Sequence, residues 1–231
     1  MKDILVNYFK SSNIDYDERT ISRFIKYRGL LVEWNKKFNL TAITDDEGIA
    51  EKHFIDSLSI LDLVKTAERI ADVGAGAGFP GLPLKIAGFK GEIILMDSLN
   101  KRVGFMDMVI DELGLKNCTA VHMRAEDAGR GGHREAFDAV TARAVASLPV
   151  LCEYCMPLVK PNGIFIAMKG PEAEREIKTS RNAIERLGGK IKTVKNIKLG
   201  DFERNIIVIV KIKKTPAIYP RKAGTPKKRP L

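Results

Sequence analysis

The hydrophobic positions of the first 66 residues follow a helical period. Between residues 21 and 32, apolar side chains recur about every 3.6 residues, with Lys and Arg between them. Asp45 and Asp46 are suited to cap a second helix, which is predicted to run from Asp46 to about Val64. The pattern therefore predicts an N-terminal helical extension over residues 1–66.

From Arg69 onward, short apolar runs alternate with helical stretches. The helical stretches, which include residues 100–115 and 148–159, separate most of the apolar runs. Alternation of strands and helices is typical of a parallel sheet that is covered on both faces. The five candidate strands read RIADVG, EIILMDS, TAVHMRAE, FDAVTARA and GIFIAMKG.

The last two apolar runs predict a different connection. Residues 192–198 and 205–213 follow a helix predicted over 173–187, and only a short Gly-Asp loop at 200–201 separates them. A short loop makes an antiparallel hairpin, because parallel strands need a long crossover. Residues 67–214 are thus predicted to form one α/β domain with a seven-stranded, mostly parallel sheet whose last strand is antiparallel.

The C-terminal end is strongly basic. Residues 215–231 contain prolines and no apolar periodicity, which predicts a basic tail rather than a packed element. The formal net charge of the chain is +10, and Lys211 to Leu231 contains eight Lys and Arg but no acid. Such a run is either a solvated end or a surface for a phosphate-rich partner, since each Lys or Arg near a phosphate releases counterions.

Composition narrows the class of protein. Hydrophobic residues make up 45% of the chain, and no run approaches the roughly twenty apolar residues of a membrane helix. Cys118, Cys152 and Cys155 form no disulfide framework, and the C-x-x-C lacks the second pair of ligands that a structural zinc requires. We expect a cytoplasmic, monomeric protein with no membrane association and no metal.

The strongest local signal is a glycine-rich turn after the first predicted strand, reading DVGAGAGFPG from Asp72 to Gly81. Glycines let the backbone turn sharply and approach a ligand, which the N–H groups at the start of the next helix then face. Asp97, at the end of the second strand, stands where a carboxylate would bind ribose hydroxyl groups. Both NAD and S-adenosylmethionine (SAM) carry such a ribose, and Gly76 to Gly81 also satisfies the dinucleotide pattern G-x-G-x-x-G.

Three features favour SAM over a dinucleotide. Asp72 precedes the glycines and is placed to reach the charged amino-acid part of SAM. A third strand is predicted to end in Ala125-Glu126-Asp127, which suits a polar contact to adenine. The sheet ends in a hairpin and leaves no second domain to bind a hydride acceptor. The alternative functions are an NAD(P)-dependent oxidoreductase and a non-catalytic RNA-binding module that kept the fold.

Several stretches together resemble one known family over nearly the whole chain. In their order and spacing they are similar to the bacterial 16S ribosomal RNA guanine-N7 methyltransferases, the RsmG (GidB) family. The stretches are Trp34-Asn35 to Asn39-Leu40-Thr41, His53 to Asp56-Ser57-Leu58, DVGAGAGFPGLPL, Asp97-Ser98 with Lys101-Arg102, Arg143-Ala144, Lys169-Gly170, and Tyr219-Pro220-Arg221-Lys222 to Pro230-Leu231.

The resemblance implies a Rossmann-like, class I SAM-dependent methyltransferase. Its substrate would be N7 of one guanine in the decoding-site loop of 16S ribosomal RNA, in the free RNA or the small ribosomal subunit, and its product S-adenosylhomocysteine (SAH). N7 of neutral guanine carries a lone pair and no proton, so no general base is required. Residues expected at the donor are Asp72, Gly74, Gly76, Gly78, Phe79, Asp97, Ala125, Glu126 and Arg143.

Other residues are expected to contact RNA or to support the donor site. Arg143 is expected to position donor or RNA rather than to transfer a proton, and His53 and Asp56 to form a helix-packing pair. Deletion of residues 215–231 is expected to weaken RNA binding and to leave donor binding nearly intact. Residues expected to contact RNA are Asn39, Lys169, Arg221, Lys222, Lys227, Lys228 and Arg229.

Overall fold

The computed structural model describes residues 1–143, 146–199 and 202–231. Within these ranges one sheet contains seven strands: β1 (Arg69–Val73), β2 (Glu92–Asp97), β3 (Cys118–His122), β4 (Phe137–Arg143), β5 (Val159–Lys169), β6 (Gly189–Leu199) and β7 (Phe202–Lys211). Their order across the sheet is β3-β2-β1-β4-β5-β7-β6. Strands β1 to β5 pair in parallel, and β7 runs antiparallel to both β5 and β6.

This arrangement confirms the predicted α/β fold, a mostly parallel sheet with an antiparallel last strand. The predicted turn at 200–201 and Ala144 of the Arg143-Ala144 pair lie outside the described residues. The helices are α1 (Lys2–Ser11), α2 (Glu18–Phe38), α3 (Asp46–Ile49), a π-helical segment (Ala50–Ile55), α4 (Asp56–Leu58), α5 (Leu61–Val64), α6 (Gly81–Ile86), α7 (Asn100–Leu113), α8 (Ala125–Arg130), α9 (Leu148–Cys155), a 3-10 turn (Met156–Leu158), α10 (Ala173–Arg186) and α11 (Thr225–Lys228).

The core has two layers, one on each face of the sheet. In β2, Ile93 and Leu95 join a cluster that contains α1, α2 and α7, whereas Ile94 and Met96 join the cluster around α9 and α10. This alternation follows from the two-residue period of a strand, and buried side chains on both faces are typical of a parallel sheet. The N-terminal helices thus cover one face and reach the edge where β1 and β2 end.

The second predicted helix is interrupted. Asp45 caps α3 as expected, because its Oδ1 accepts a hydrogen bond from Gly48 N at 2.7 Å. The chain then passes through the π-helical segment and leaves the helix after α4, so the expectation of one helix from Asp46 to Val64 was wrong. A π-helical turn adds a residue to the helix locally and is frequent at functional sites.

The third predicted strand is shorter than expected. Strand β3 ends at His122, and Ala125-Glu126-Asp127 opens α8 instead of ending the strand. Glu126 and Asp127 lie in the first turn of α8, where acidic side chains are stabilised by the N-terminal end of the helix dipole.

The C-terminal segment, residues 215–231, packs against the domain, so the expectation of an unpacked tail was wrong. The guanidinium of Arg134 donates to the carbonyl oxygens of Thr215 at 2.6 Å and Tyr219 at 2.7 Å. Tyr219 and Pro226 are buried. Side chains of the domain therefore satisfy backbone groups that the proline-rich sequence cannot pair within itself. In the described parts of the chain, the structure holds no helix with the length and apolar character needed to cross a membrane.

Candidate active site

The glycine turn joins the carboxyl ends of β1 and β2. Gly74 N and Ala75 N both donate to the carbonyl oxygen of Met96, at 2.8 and 3.0 Å. Gly76 N donates to Asp97 Oδ2 at 3.0 Å. Gly76 has φ +62°, in the left-handed region that glycine adopts without strain. The predicted turn and the predicted acid are therefore directly bonded to each other.

Asp97 is buried, with 3% of its surface exposed. Its Oδ1 accepts a hydrogen bond from Leu99 N at 2.9 Å, and Arg102 Nη1 lies 3.4 Å from its Oδ2. A carboxylate offers about four acceptor positions, so these contacts orient Asp97 and still leave capacity for a ligand hydroxyl.

Asp72 is fully buried beneath the same turn. Its Oδ2 accepts a hydrogen bond from Gly81 N at 2.8 Å, whereas no described residue makes a hydrogen bond of good geometry to its Oδ1; the nearby Thr141 hydroxyl, which bonds Ala71 O, only partly offsets the effect of burial on the Asp72 pKa. Burial raises the pKa of the Asp72 carboxyl to about 7. A buried carboxylate oxygen without a partner is costly, and a ligand that brings an ammonium group would satisfy it. Binding of Asp72 to the amino-acid end of SAM stays a prediction.

A cavity of about 260 Å³ opens at this edge of the sheet. It is lined by predicted donor residues and by two residues of the C-terminal segment; the lining includes Gly74, Asp97, Ala125, Glu126, Gly224 and Lys227. A larger groove of about 680 Å³ lies near the amino ends of the strands, between residues 13–20 and 87–90, and none of the predicted donor residues lines it.

The N-terminal helices hold the far end of the glycine turn. Tyr27 of α2 is buried and donates its hydroxyl hydrogen to the carbonyl oxygen of Ala77. A Cβ on Gly78, which has φ +93°, would collide with the side chain of Leu82, so glycine is required there. Phe79 stacks on the ring of His53, with centroids 4.5 Å apart and planes inclined by 23°. The extension therefore forms part of the site.

Beyond Phe79, a buried carboxylate joins two arginines from different strands. Asp56 is fully buried; its Oδ2 accepts from Arg143 Nη1 at 2.9 Å, and its Oδ1 accepts from Arg204 Nε at 2.7 Å. The guanidinium carbon of Arg143 lies 4.8 Å from the centre of the Phe79 ring, a cation–π contact. Arg143 Nη1 also donates to Lys52 O at 3.0 Å. Asp56 thus fixes Arg143 at the end of β4, beside the glycine turn.

His53 is held as a neutral ring. Its Nε2 lies 2.7 Å from Thr41 Oγ1, and Arg143 Nη2 lies 3.4 Å from its Nδ1. Burial, assisted by the Arg143 cation, lowers the pKa of His53 to about 4. His53 and Asp56 both contact Arg143, which goes beyond the packing role expected for them.

Comparisons with known proteins identify the family to which the chain belongs. The family described as rRNA small subunit methyltransferase G matches residues 20–207. Over 234 aligned positions the chain is 49% identical to the ribosomal RNA small subunit methyltransferase G of Clostridium tetani, covering 99% of this chain and 98% of the relative. The chain belongs to this methyltransferase G family. The relative from Acetivibrio thermocellus is 48% identical, covering 100% of this chain and 97% of the relative.

A solved structure supports the fold independently. The SAM-dependent methyltransferase from Aquifex aeolicus superposes with a TM-score of 0.53 at 20% identity, covering 72% of this chain and 94% of that one. The Rossmann-like class I methyltransferase fold predicted from the sequence is therefore confirmed. In this chain an N-terminal helical extension precedes that fold.

The residues expected at RNA lie in four different environments in this methyltransferase G structure. Asn39 is the exposed C-cap of α2, with φ +48°. Lys169 is buried, and its Nζ lies 2.8 Å from both Ala146 O and Glu176 Oε2. Arg221 is paired with the buried carboxylate of Glu153. Four residues are exposed at the C-terminal segment: Lys222, Lys227, Lys228 and Arg229.

Several residues of the site were not found from the sequence. Tyr27 and Arg204 contribute through contacts to residues 50 and 148 positions away. Glu153 is a buried acid in an apolar helix, LPVLCEYC, and a charge in such a helix is a signal for a paired partner. Within the described ranges, no group of three or more His, Cys, Asp and Glu is arranged to hold a metal.

Proposed function

We propose that this chain transfers a methyl group from SAM to N7 of a guanine in the decoding-site loop of 16S ribosomal RNA. The observation that carries the proposal is the unpartnered, buried Oδ1 of Asp72 beneath a glycine turn that is bonded to Asp97. This pair of carboxylates suits a ligand with an ammonium group at one end and a ribose at the other. A dinucleotide offers a pyrophosphate at this turn, which would meet the Asp72 carboxylate unfavourably.

The donor half of the site consists of Asp72, the glycine turn, Asp97 and Glu126. SAM supplies an electrophilic methyl carbon attached to a sulfonium sulfur. In our proposal Asp72 Oδ1 binds the ammonium group, Asp97 accepts from the ribose hydroxyls, and Glu126 lies at the adenine end of the cavity. Correct placement of the reacting atoms is then the main contribution of the protein to the rate.

The acceptor half consists of Phe79, His53, Asp56, Arg143 and Arg204. Its proton-accepting groups are occupied: Asp56 accepts hydrogen bonds from both arginines, and His53 bonds Thr41. The low pKa of His53 makes the ring a weak base. An acceptor atom that already carries a free lone pair suits this site, and guanine N7 is such an atom.

Arg143 is proposed to position the guanine. Asp56 and Lys52 O occupy its Nη1, whereas its Nε has no hydrogen-bond partner among the described residues. An N–H donor beside the Phe79 ring is suited to bind O6 of guanine, the acceptor next to N7 on the same base edge. The exposed lysines of the C-terminal segment are proposed to contact the phosphates around that base.

The test is methyl transfer from tritiated SAM to isolated small ribosomal subunits, large subunits and transfer RNA. We expect label in small-subunit RNA and about a hundredfold loss of rate in Arg143→Ala, from loss of a charged hydrogen bond and of placement. Arg175→Ala is the matched control, because Arg175 lies on α10 with its side chain 85% exposed. Label in transfer RNA, or equal rates in the two variants, would contradict the proposal.

A further inference from the structure

The C-terminal segment reaches the cavity at the carboxyl ends of β1 and β2, where Gly224 and Lys227 line it. Its beginning is fixed to the domain by Arg134, and Arg130 Nε adds a hydrogen bond to the carbonyl oxygen of Pro220 at 3.0 Å. Arg130 belongs to α8, the helix that also carries Glu126. The path of the segment is therefore set by the same helix that lines the cavity.

An ion pair with a buried carboxylate clamps the middle of the segment. Arg221 Nε lies 2.9 Å from Glu153 Oε1, and Arg221 Nη2 lies 2.6 Å from Oε2. Arg221 N also donates to Glu153 Oε1 at 2.7 Å. Glu153 is fully buried, and a two-pronged pairing of this kind is both strong and geometrically specific. Arg221 is thus engaged within the protein.

Three residues after the clamp, the segment reaches the donor half. Gly224 N donates to Glu126 Oε1 at 3.0 Å, and Gly224 has φ +82°. Gly224 and Lys227 line the same cavity as Asp97 and Glu126. Lys227 places a cation at a cavity that two carboxylates make acidic. The backbone of the segment therefore holds one of the predicted donor residues in place.

We propose that residues 219–229 form the outer wall of the donor pocket, and that Arg221 is a positioning residue for donor binding through its pair with Glu153. The inference rests on the proposed function, because it concerns the same donor pocket. It differs from the sequence-based expectation that deletion of residues 215–231 leaves donor binding nearly intact. A segment in which Arg221 and Gly224 contact the domain while Lys222 and Lys228 are exposed would bring RNA phosphates next to the bound donor.

The first test compares two charge deletions, Arg221→Ala and Lys214→Ala, by calorimetric titration with SAH in the absence of RNA. Both variants lose one positive charge, but Lys214 is exposed and precedes the proposed wall, whereas Arg221 contacts Glu153. We expect Arg221→Ala to weaken SAH binding about tenfold, and Lys214→Ala to bind as the wild type does. Equal affinities in the two variants would overturn the proposal.

The second test uses the wild-type chain, so it does not depend on a variant folding. Trypsin cleavage after Lys222 and Lys227 is followed with and without saturating SAH, with cleavage after Lys65 as an internal reference. If the segment is the wall of the pocket, SAH slows cleavage at the two C-terminal sites more than at Lys65. Unchanged C-terminal cleavage with bound SAH would overturn the wall alone, whereas absence of SAH binding to the wild type would overturn the proposed function as well.

Discussion

The two halves of the site are held together in different ways. In the donor half, carboxylates bind backbone N–H groups that are close in the chain: Asp72 and Gly81 are 9 residues apart, and Gly76 and Asp97 are 21 apart. In the acceptor half, one buried carboxylate binds side chains 87 and 148 residues away, on Arg143 and Arg204. The glycine turn and its two carboxylates belong to one β-α-β unit, whereas the acceptor half, and the contact of Gly224 with Glu126 in the donor half, form only when the whole domain has folded.

This difference separates the residues that bind the donor from the residues that position the RNA base. A turn held by backbone hydrogen bonds keeps its shape when side chains of the acceptor half change, so donor binding should tolerate those changes. An ionic cluster assembled from the extension, β4 and β7 couples the position of Arg143 to the packing of all three. Changes in the acceptor half should therefore reduce stability and methyl transfer more than they reduce SAH binding, and changes in the donor half should do the opposite.

The largest effect is expected for Asp56→Ala. The substitution leaves two arginines near the core without their common counterion, and breaking a buried pair in this way costs about 3–5 kcal/mol of unfolding free energy. Chemical denaturation measures the loss. Asp62→Ala is the control, since that side chain is 86% exposed and its pair with Lys65 contributes little. A loss below about 1 kcal/mol in Asp56→Ala would show that the cluster does not hold the acceptor half together.

The second largest effect is expected for Asp97→Ala and concerns the affinity for SAH. Loss of a charged hydrogen bond to the ribose, together with release of Gly76 N, should weaken SAH binding on the order of a hundredfold. Calorimetric titration measures it. Asp111→Ala serves as the control, because Asp111 is an exposed acid on the adjoining α7. Comparable SAH affinity in both variants would mean that the carboxylate at the end of β2 does not bind the donor.

A change of pH is expected to have a smaller effect on the affinity for the donor. The pKa of Asp72 is about 7, and a bound ammonium group should lower it, because a nearby cation favours the charged carboxylate. Donor binding then requires Asp72 to lose its proton, so affinity should fall as pH drops below 7, by at most about tenfold per unit. Titrations between pH 5.5 and 7 measure the slope. Asp72→Asn should abolish it, and an unchanged slope in that variant would assign the effect to another group.

The contrast between the halves also explains what the sequence could predict. The strand, turn and helix that carry Asp72, the glycines and Asp97 could be predicted because local sequence determines their geometry, and donor binding by these residues stays a prediction. The role of Asp56 was underestimated, and Arg204 was not identified, because their meeting depends on the register of β7 and on a π-helical segment. No local pattern encodes such long-range pairing.

The C-terminal segment shows the same limit. Proline-rich sequence without apolar periodicity gives no sign of packing, yet residues 215–231 are fixed by Arg134 and Glu153 from the domain. Glu153 alone gave a local signal, as an acid inside an apolar helix. Its partner Arg221 lies 68 residues away, and in the sequence nothing distinguishes Arg221 from the exposed basic residues around it.

The identity of the methylated atom is the most direct test of the proposed reaction. Small-subunit RNA labelled by this chain with tritiated SAM is digested, and the labelled nucleoside and its fragment are identified by mass spectrometry. We expect 7-methylguanosine in a fragment from the decoding-site loop of 16S ribosomal RNA. Label on an exocyclic amine or a pyrimidine carbon, or in another region of the RNA, would contradict an acceptor half that works without a general base.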